Sequence, residues 1–372
     1  MSEVPSVGAM MTTPVYMAGC GLACALGRDL PQSLAALRRG GVPATPITVP
    51  GGFTFPVHAL PPAEGDWRQQ LRRTVRDVVS QCGLPDDMAT REMPLFVASS
   101  SLDVGFEEEA GCFAGDVQIF GDLVAEAIRW RGPVFTVSTA CTSAVNAVLA
   151  AADLIRSGAV PLALVLGIEF SNRLTLAGFG GMQLLSPDRA LPFGADRNGL
   201  VLGEAVAAMV LSSAPARWRL AGGANVVAGD TPTGADAGAI VSVSRAAMQQ
   251  AGLRAEDIDL IKPQAAGSPG NDAIEAIALK TLFASLPPMV ALKPLIGHTL
   301  GAAGAAELVL LIACIEAGAW PVADHALDPS LDVVLAAQVP ARLRHILFNA
   351  IGFGGGHAAL VLEDCGGPGR ID

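Results

Sequence analysis

The stretch GPVFTVSTACTSAVNAVLAAADLIRSG, residues 132–158, decides how the rest of the chain is read. A β-branched run stops at Thr139-Ala140-Cys141, and an alanine-rich helical pattern starts at once. Cys141 therefore falls at a strand-to-helix elbow, where a nucleophile or a small core residue would fit equally. The same order of strand, polar elbow, alanine-rich helix and closing glycine recurs at 289–318, with His298 at the elbow of VALKPLIGHTLGAAGAAELVLLIACIEAG. Small alanine and glycine faces let two such helices pack closely, and an approximate two-fold would bring both elbows to one end of the pair. This repeat places a boundary near 213–220. It predicts an N-terminal half over 15–215 carrying the elbow cysteine, a C-terminal half over 216–372 carrying His298 and a glycine-rich loop, and a flexible tail over 1–14.

Outward from that repeat, strands alternate with helices. The segments PVYMAGCGLA, MPLFVASSS, GPVFTVST and PLALVLGIEF read as buried strands, as do RWRLAGGANVVA, DIDLIKPQA, PMVALKPL and RHILFNAIGFGGGHAALVLE. Helical patterns separate most of them, around 145–157, 241–252, 272–285 and 301–317, which makes the fold class α/β. The chain has 372 residues, 51% hydrophobic and 16% charged, enough for a large core. AELVLLIACIEAGAW carries Glu307 and Glu316 and reads as a core helix rather than a membrane span. The net charge of −11 argues against nucleic acid as a partner. Seven dispersed cysteines without metal-ligand spacing suggest reduced thiols, no metal and a cytoplasmic setting.

At the first turn of a helix, Cys141 would feel a field favouring thiolate, and His298 is the natural base for it. Lys293, on an apolar run predicted as strand, requires a carboxylate, and Glu275 is the candidate; a plain ion pair is the alternative. The glycine-dense turn in FNAIGFGGGHAALVLE suits an oxyanion hole or simply joins two strands. In PFGADRNGLVLGEA, Asp196, Arg197 and Glu204 read as a buried polar brace. Arg68, Arg72 and Arg76 recur every four residues in DWRQQLRRTVRDVVSQ and share one helix face.

The segments STACTSA, LKPLIGHTLGAAGA, FNAIGFGGGH and PFGADRNGLVLGEA resemble the signature segments of the β-ketoacyl synthase family, the elongating condensing enzymes of fatty acid and polyketide synthesis. The resemblance runs from about Val15 to Glu363. It implies the thiolase fold, two βαβαβαββ halves in a five-layered αβαβα arrangement, and a homodimer or a heterodimer with another ketosynthase. It further implies that Cys141 takes the acyl chain from an acyl carrier protein, whose phosphopantetheine is the only cofactor involved. His298 would support the nucleophile, with Lys293 and Glu275 beside it. The N–H groups of Cys141 and Phe353 would form the oxyanion hole, Phe353 would gate the substrate, and the Arg68/Arg72/Arg76 stripe would dock the acidic carrier protein.

The chain also departs from that family. LIKPQAAGSPGNDAIEA resembles its His-Gly-Thr-Gly-Thr loop, but Gln264 replaces the histidine that assists malonyl decarboxylation. Ala266 replaces a threonine that touches pantetheine, leaving Ser268 as the pantetheine-binding hydroxyl. Gln264 donates hydrogen bonds but moves no proton near neutral pH, so condensation should suffer more than acyl loading. Gly356-His357 stands where the family has Thr-Asn; His357 reads as a structural histidine at the start of the last strand. The connection from VLSSAPARW to AGLRAEDID looks trimmed. Three functions stay open: a working condensing enzyme, an acyl-transferring member without decarboxylation, and a subunit resembling a chain length factor that pairs with an active ketosynthase.

Overall fold

A computed structural model describes residues 13–84, 90–113, 115–228 and 232–366. All but the last two residues of the predicted tail over 1–14 lie outside the described residues. In the first half, the strands are β1 (Tyr16–Cys24), β2 (Thr45–Thr48), β3 (Thr54–His58), β4 (Leu95–Ala98), β5 (Val134–Val137), β6 (Leu162–Glu169), β7 (Leu202–Gly203) and β8 (Ala205–Ser212). Its helices are α1 (Leu30–Arg38), α2 (Trp67–Gln81), α3 (Val104–Ala110), α4 (Val117–Ala127), α5 (Ser143–Arg156) and α6 (Arg173–Gly181). The second half contains β9 (Trp218–Val227), β10 (Leu260–Lys262), β11 (His345–Ile351) and β12 (Gly356–Asp364). Its helices are α7 (Ala237–Ala251), α8 (Pro269–Leu282), α9 (Lys293–Ile296) and α10 (Ala303–Ala317).

Nine strands join in the order β10-β11-β12-β9-β1-β8-β6-β4-β5, and β2-β3-β7 form a small second sheet. Each half repeats one pattern. β1 runs antiparallel to β8, β8 antiparallel to β6, and β6 parallel to β4; β9, β12, β11 and β10 pair in the same sense. The half-sheets touch through a short antiparallel contact, Tyr16 opposite Arg219 and Met17 opposite Trp218. Between them lie α5 and α10, α5 against β6, β9 and β12 and α10 against β1, β6 and β8. With α2 and α4 outside one half-sheet and α7 and α8 outside the other, five layers result.

Sequence explains these elements closely. In α2, Trp67, Leu71, Val75 and Val78 recur along one face and are buried, while the Asp66 side chain caps the helix at Gln69 N. α10 is buried almost all round, and Leu300–Ala317, apolar enough to cross a membrane by length and composition, is spent on the core. Close packing of the central pair depends on small residues: a Cβ on Gly304 would lie 2.6 Å from Val145 Cγ2 of α5.

Two expectations fail. PMVALKPL forms no strand: only Met289 makes an isolated parallel bridge to Ile261, and Lys293 opens the short helix α9. Pro294 explains the break, since it cannot donate to a ladder but fits the first turn of a helix. Conversely β8, AVAAMVLS, is an unpredicted central strand, buried at every position. Buried on both faces, it has no alternation to read.

Candidate active site

β5 delivers Cys141 to the entrance of α5 through a bent elbow. Ala140 has φ +52, a left-handed conformation unusual for alanine, and Ser143 Oγ donates to its carbonyl at 2.6 Å. Cys141 precedes the N-cap Thr142 and so lies just outside the helix. His298 occupies the corresponding place before α10. Its backbone is pinned beside β7, with His298 N donating to Val201 O at 2.7 Å and Gly203 N donating to His298 O at 3.0 Å. The two elbows meet: His298 Nε2 is 3.0 Å from Cys141 Sγ, both residues being buried.

Gly203 is part of that placement. A Cβ there would fall 1.9 Å from Ile296 O, a backbone atom that cannot swing aside. Gly203→Ala is therefore expected to cost about 1–3 kcal/mol, the usual range for overpacking, and to displace His298. Thermal unfolding checks the first effect, and an unchanged midpoint would sink it.

Burial opposes charge on both members of the pair. Burial pushes the Cys141 thiol up to about 12, against opposing pulls from the Phe353 N–H, Lys293 and the Cys141 N–H. Burial first, then Lys293 and Lys262, hold His298 well below the usual histidine range. The expected preference for thiolate is opposed by desolvation, the largest influence on this thiol. The amides of Phe353 and Cys141 both point at the sulfur, where an oxyanion hole was expected. The Phe353 ring stacks on Phe179 of α6, centroids 5.2 Å apart and planes at 15°.

Lys293 does not pair with Glu275. Its Nζ donates to Glu307 Oε1 at 2.5 Å and to Gln264 O at 2.6 Å. The sequence marks Glu307 as a charge within a core helix without giving it a partner, and α10 brings it to Lys293. Glu275 instead accepts from Gln264 N at 2.7 Å and Ala265 N at 3.0 Å, which fixes the loop. Burial raises its carboxyl to about 7. Gln264 Oε1 accepts from Ile351 N at 3.3 Å, tying it to the strand that leads to Phe353. Ala266 packs in the same apolar cluster as Cys141.

Sequence reasoning missed two more groups. Lys262 ends β10, with its Nζ 2.5 Å from Glu307 Oε2 as a charge contact out of line for a hydrogen bond. Glu169 ends β6 and accepts from Ser100 N at 2.9 Å, Ser101 N at 2.9 Å and Gly301 N at 2.8 Å, stitching the β4 loop to the entrance of α10. Each stands as a lone charge in a buried apolar run, and that was the available signal.

With this geometry, two successive stretches of sequence match one family's models. Residues 112–216 match the beta-ketoacyl synthase N-terminal domain and residues 222–326 its C-terminal domain. The chain belongs to the β-ketoacyl synthase family. It is 32% identical over 258 residues to Nodulation protein E of Rhizobium sp. (strain N33), covering 64% of each chain. It is 34% identical over 278 residues to Putative polyketide beta-ketoacyl synthase 1 of Streptomyces cyaneus, covering 66% of this chain and 64% of that one. The chain thus spans about 64% of the length of these curated relatives. Its fold is similar to that of the ketosynthase ApeO in complex with its chain length factor ApeC from Xenorhabdus doucetiae. That match has a TM-score of 0.84 at 23% identity, covering 98% of this chain and 100% of that one. It is also similar to the ishigamide ketosynthase/chain length factor, with a TM-score of 0.83 at 27% identity, covering 95% and 100%.

The remaining expected residues of this β-ketoacyl synthase chain fall outside the buried cluster. Arg68, Arg72 and Arg76 share a face, but each has a partner within the chain. Arg68 lies 3.5 Å over the Phe106 ring, Arg72 bonds Glu126 at 2.9 Å, and Arg76 donates to Ala127 O at 2.7 Å. They brace α2 against α3 and α4. Ser268 is the N-cap of α8, and its side chain makes no capping bond. His357 is the second residue of β12, with Nδ1 donating to Gly355 O at 2.9 Å and Nε2 accepting from Asp236 N at 3.1 Å, a structural histidine as read. Arg197 pairs with Asp328 at 2.8 Å, and Glu204 accepts from Leu60 N at 2.7 Å and Ser171 N at 2.8 Å, so two members of the predicted brace hold loops together. All seven cysteines are free, and no cluster of three metal-ligating side chains occurs among the described residues.

Proposed function

We propose that this chain accepts an acyl group on Cys141 from an acyl carrier protein thioester in a fatty acid or polyketide-type pathway of the cytoplasm, with decarboxylative condensation impaired by Gln264. The observation that carries the reading is the 3.0 Å contact between Cys141 Sγ and His298 Nε2, beneath two converging amides. In the loading step His298 Nε2 takes the thiol proton as sulfur bonds to the thioester carbonyl carbon. The amides of Cys141 and Phe353 hold the resulting oxyanion. Collapse breaks the bond to the pantetheine sulfur, which leaves with the proton returned by His298. The Phe353 ring, stacked on Phe179, is the gate that must shift to admit the chain. Ser268, half-exposed at the loop's end, contacts the pantetheine arm.

A second reading is a subunit resembling a chain length factor, paired with an active ketosynthase. The similarity at 27% identity to a structure described as a ketosynthase/chain length factor favours it, together with the missing loop histidine. Intact mass after incubation with an acyl carrier protein thioester separates the two. An adduct absent in Cys141→Ala supports the transferase, whereas a reduced thiol without adduct supports the subunit. Gln264→His is expected to raise malonyl-thioester decarboxylation by about 10²-fold, the lower end of proton-transfer assistance, while changing acyl loading much less. No gain in carbon dioxide release would count against the role given to this position.

A further inference from the structure

One of the two amides at the sulfur is the N–H of Cys141 itself. That N–H belongs to the peptide unit joining Ala140 to Cys141, which is planar and trans, so the direction of the Ala140 carbonyl fixes the direction of the amide. Whatever holds the carbonyl therefore aims the oxyanion hole.

Two groups hold it, both from Ser143 at the start of α5. The Ser143 backbone N–H donates to Ala140 O at 3.1 Å, and the side-chain hydroxyl donates to the same oxygen at 2.6 Å. A hydroxyl has one proton to give. Its other near acceptor, Ser99 O, is 3.5 Å away, so the shorter contact takes the proton. Oγ in turn accepts from Thr139 N at 2.9 Å, which fixes its direction from behind, and Ser143 is fully buried. The peptide needs such a restraint, because Ala140 has φ +52, a conformation in which an L side chain is strained. A Cβ on Gly352 would lie 3.2 Å from Cys141 N, so the glycine keeps that amide uncovered.

We propose that Ser143 is a positioning residue for the oxyanion hole: its hydroxyl pins the Ala140–Cys141 peptide so that the Cys141 N–H faces the acyl oxygen. The bond to the carbonyl also polarises the N–H at the other end of the same peptide, which makes it a better donor. The hydrogen bonds of the hydroxyl go to backbone atoms and not to Cys141 Sγ or His298. Its removal should weaken the hole and leave the thiol and its base in contact.

The inference rests on Cys141 being the nucleophile, and its test requires no acyl carrier protein. Butanal is the probe. The sulfur bonds to its carbonyl carbon and the thiol proton passes to its oxygen, with no group lost, and that oxygen occupies the hole. Iodoacetamide is the control, since the sulfur displaces iodide from a saturated carbon and no charge develops on oxygen. Protection of Cys141 by butanal against iodoacetamide gives a dissociation constant, read by mass spectrometry on the Cys141 peptide apart from the other free cysteines. Ser143→Ala is expected to weaken that constant by about tenfold, less than the 10²–10³ lost when a hole donor is removed outright. Its alkylation rate without butanal should stay at the native value. An unchanged butanal constant overturns the proposal, as does a fall in alkylation as large as the fall in protection. Native protein that butanal fails to protect has no hole for the hydroxyl to shape, which overturns it too. Should Ser143→Ala fail to fold, the crystal structure of the native butanal adduct decides. Its oxygen should lie within hydrogen-bond reach of Cys141 N with Ser143 Oγ still on Ala140 O. An adduct oxygen turned away, or a hydroxyl turned to Ser99 O, overturns the proposal. A native chain that binds butanal but never loads an acyl group refutes the transferase reading and leaves this inference standing.

Discussion

His298→Ala is expected to slow acyl loading of Cys141 by about 10²–10⁴-fold, the usual contribution of a positioned base. The reason is the resting charge state. With the thiol pushed up to about 12, almost none of it is thiolate at neutral pH, so attack depends on a base taking the proton as sulfur moves. Nε2 at 3.0 Å is placed to do so. The two amides remain in the variant and still stabilise the oxyanion, so loading should be slow but detectable, whereas Cys141→Ala should abolish the adduct. Quenched time points read by intact mass check both; a His298→Ala rate within threefold of the native one would remove histidine from the mechanism. A pH consequence accompanies this. His298 is held below its unfolded value, so the unfolded chain binds more protons than the folded one below about pH 6.5. Stability contributed by the neutral ring is therefore present above that pH and is lost as pH falls through it.

The elbow cysteine, the elbow histidine and the two-fold relation between them were legible because each depends on local sequence alone. A β-branched run meeting an alanine-rich helix can be seen without knowing what packs on it, and the structure puts both elbows at the entrances of α5 and α10. The glycine-dense turn around Phe353 was legible for the same reason: backbone N–H groups can approach a ligand closely where side chains are small.

What sequence could not assign were partners distant in the chain. Glu275 lies midway along α8 and Glu307 in the second turn of α10, and both are at similar separations from Lys293 in the chain. Only the packing of α10 beneath α9 selects Glu307, and the pull of two loop amides on Glu275 removes it from contention. Lys262 finds its partner Glu307, 45 residues further along the chain, only through tertiary packing. The arginine stripe is a parallel case. Its spacing correctly predicted a shared face, but the identity of what lies opposite, Phe106, Glu126 and the Ala127 carbonyl, comes from tertiary structure. Exposed charge and braced charge have the same periodicity.

Glu307→Ala is expected to destabilise the fold by about 3–5 kcal/mol, the cost of leaving a buried charge without its partner. Two ammoniums depend on this one carboxylate, and neither has water to turn to: Lys262 and Lys293 are each 1% exposed. What remains after the substitution is one carbonyl for each, Asn349 O at 3.4 Å for Lys262 and Gln264 O at 2.6 Å for Lys293. The thermal midpoint should fall by about 4–6 °C, and Glu307→Gln should lose most of the same amount, because the charge matters more than the volume. Removing all three charges together should behave differently. A triple variant with Lys262→Met, Lys293→Met and Glu307→Leu replaces the cluster with apolar groups of similar size and should recover a large part of the loss, as buried ion clusters commonly do when exchanged whole. Calorimetry on the four proteins at one scan rate checks this. A Glu307→Ala midpoint within a degree of the native one would show that the lysines discharge instead of remaining buried as cations. The recovered triple variant should still load an acyl group more slowly than the native protein, since Lys293 no longer holds the Gln264 carbonyl beside the reacting pair. Stability and chemistry then separate at one cluster, which is the behaviour expected if these charges are retained for the reacting pair and not for the fold.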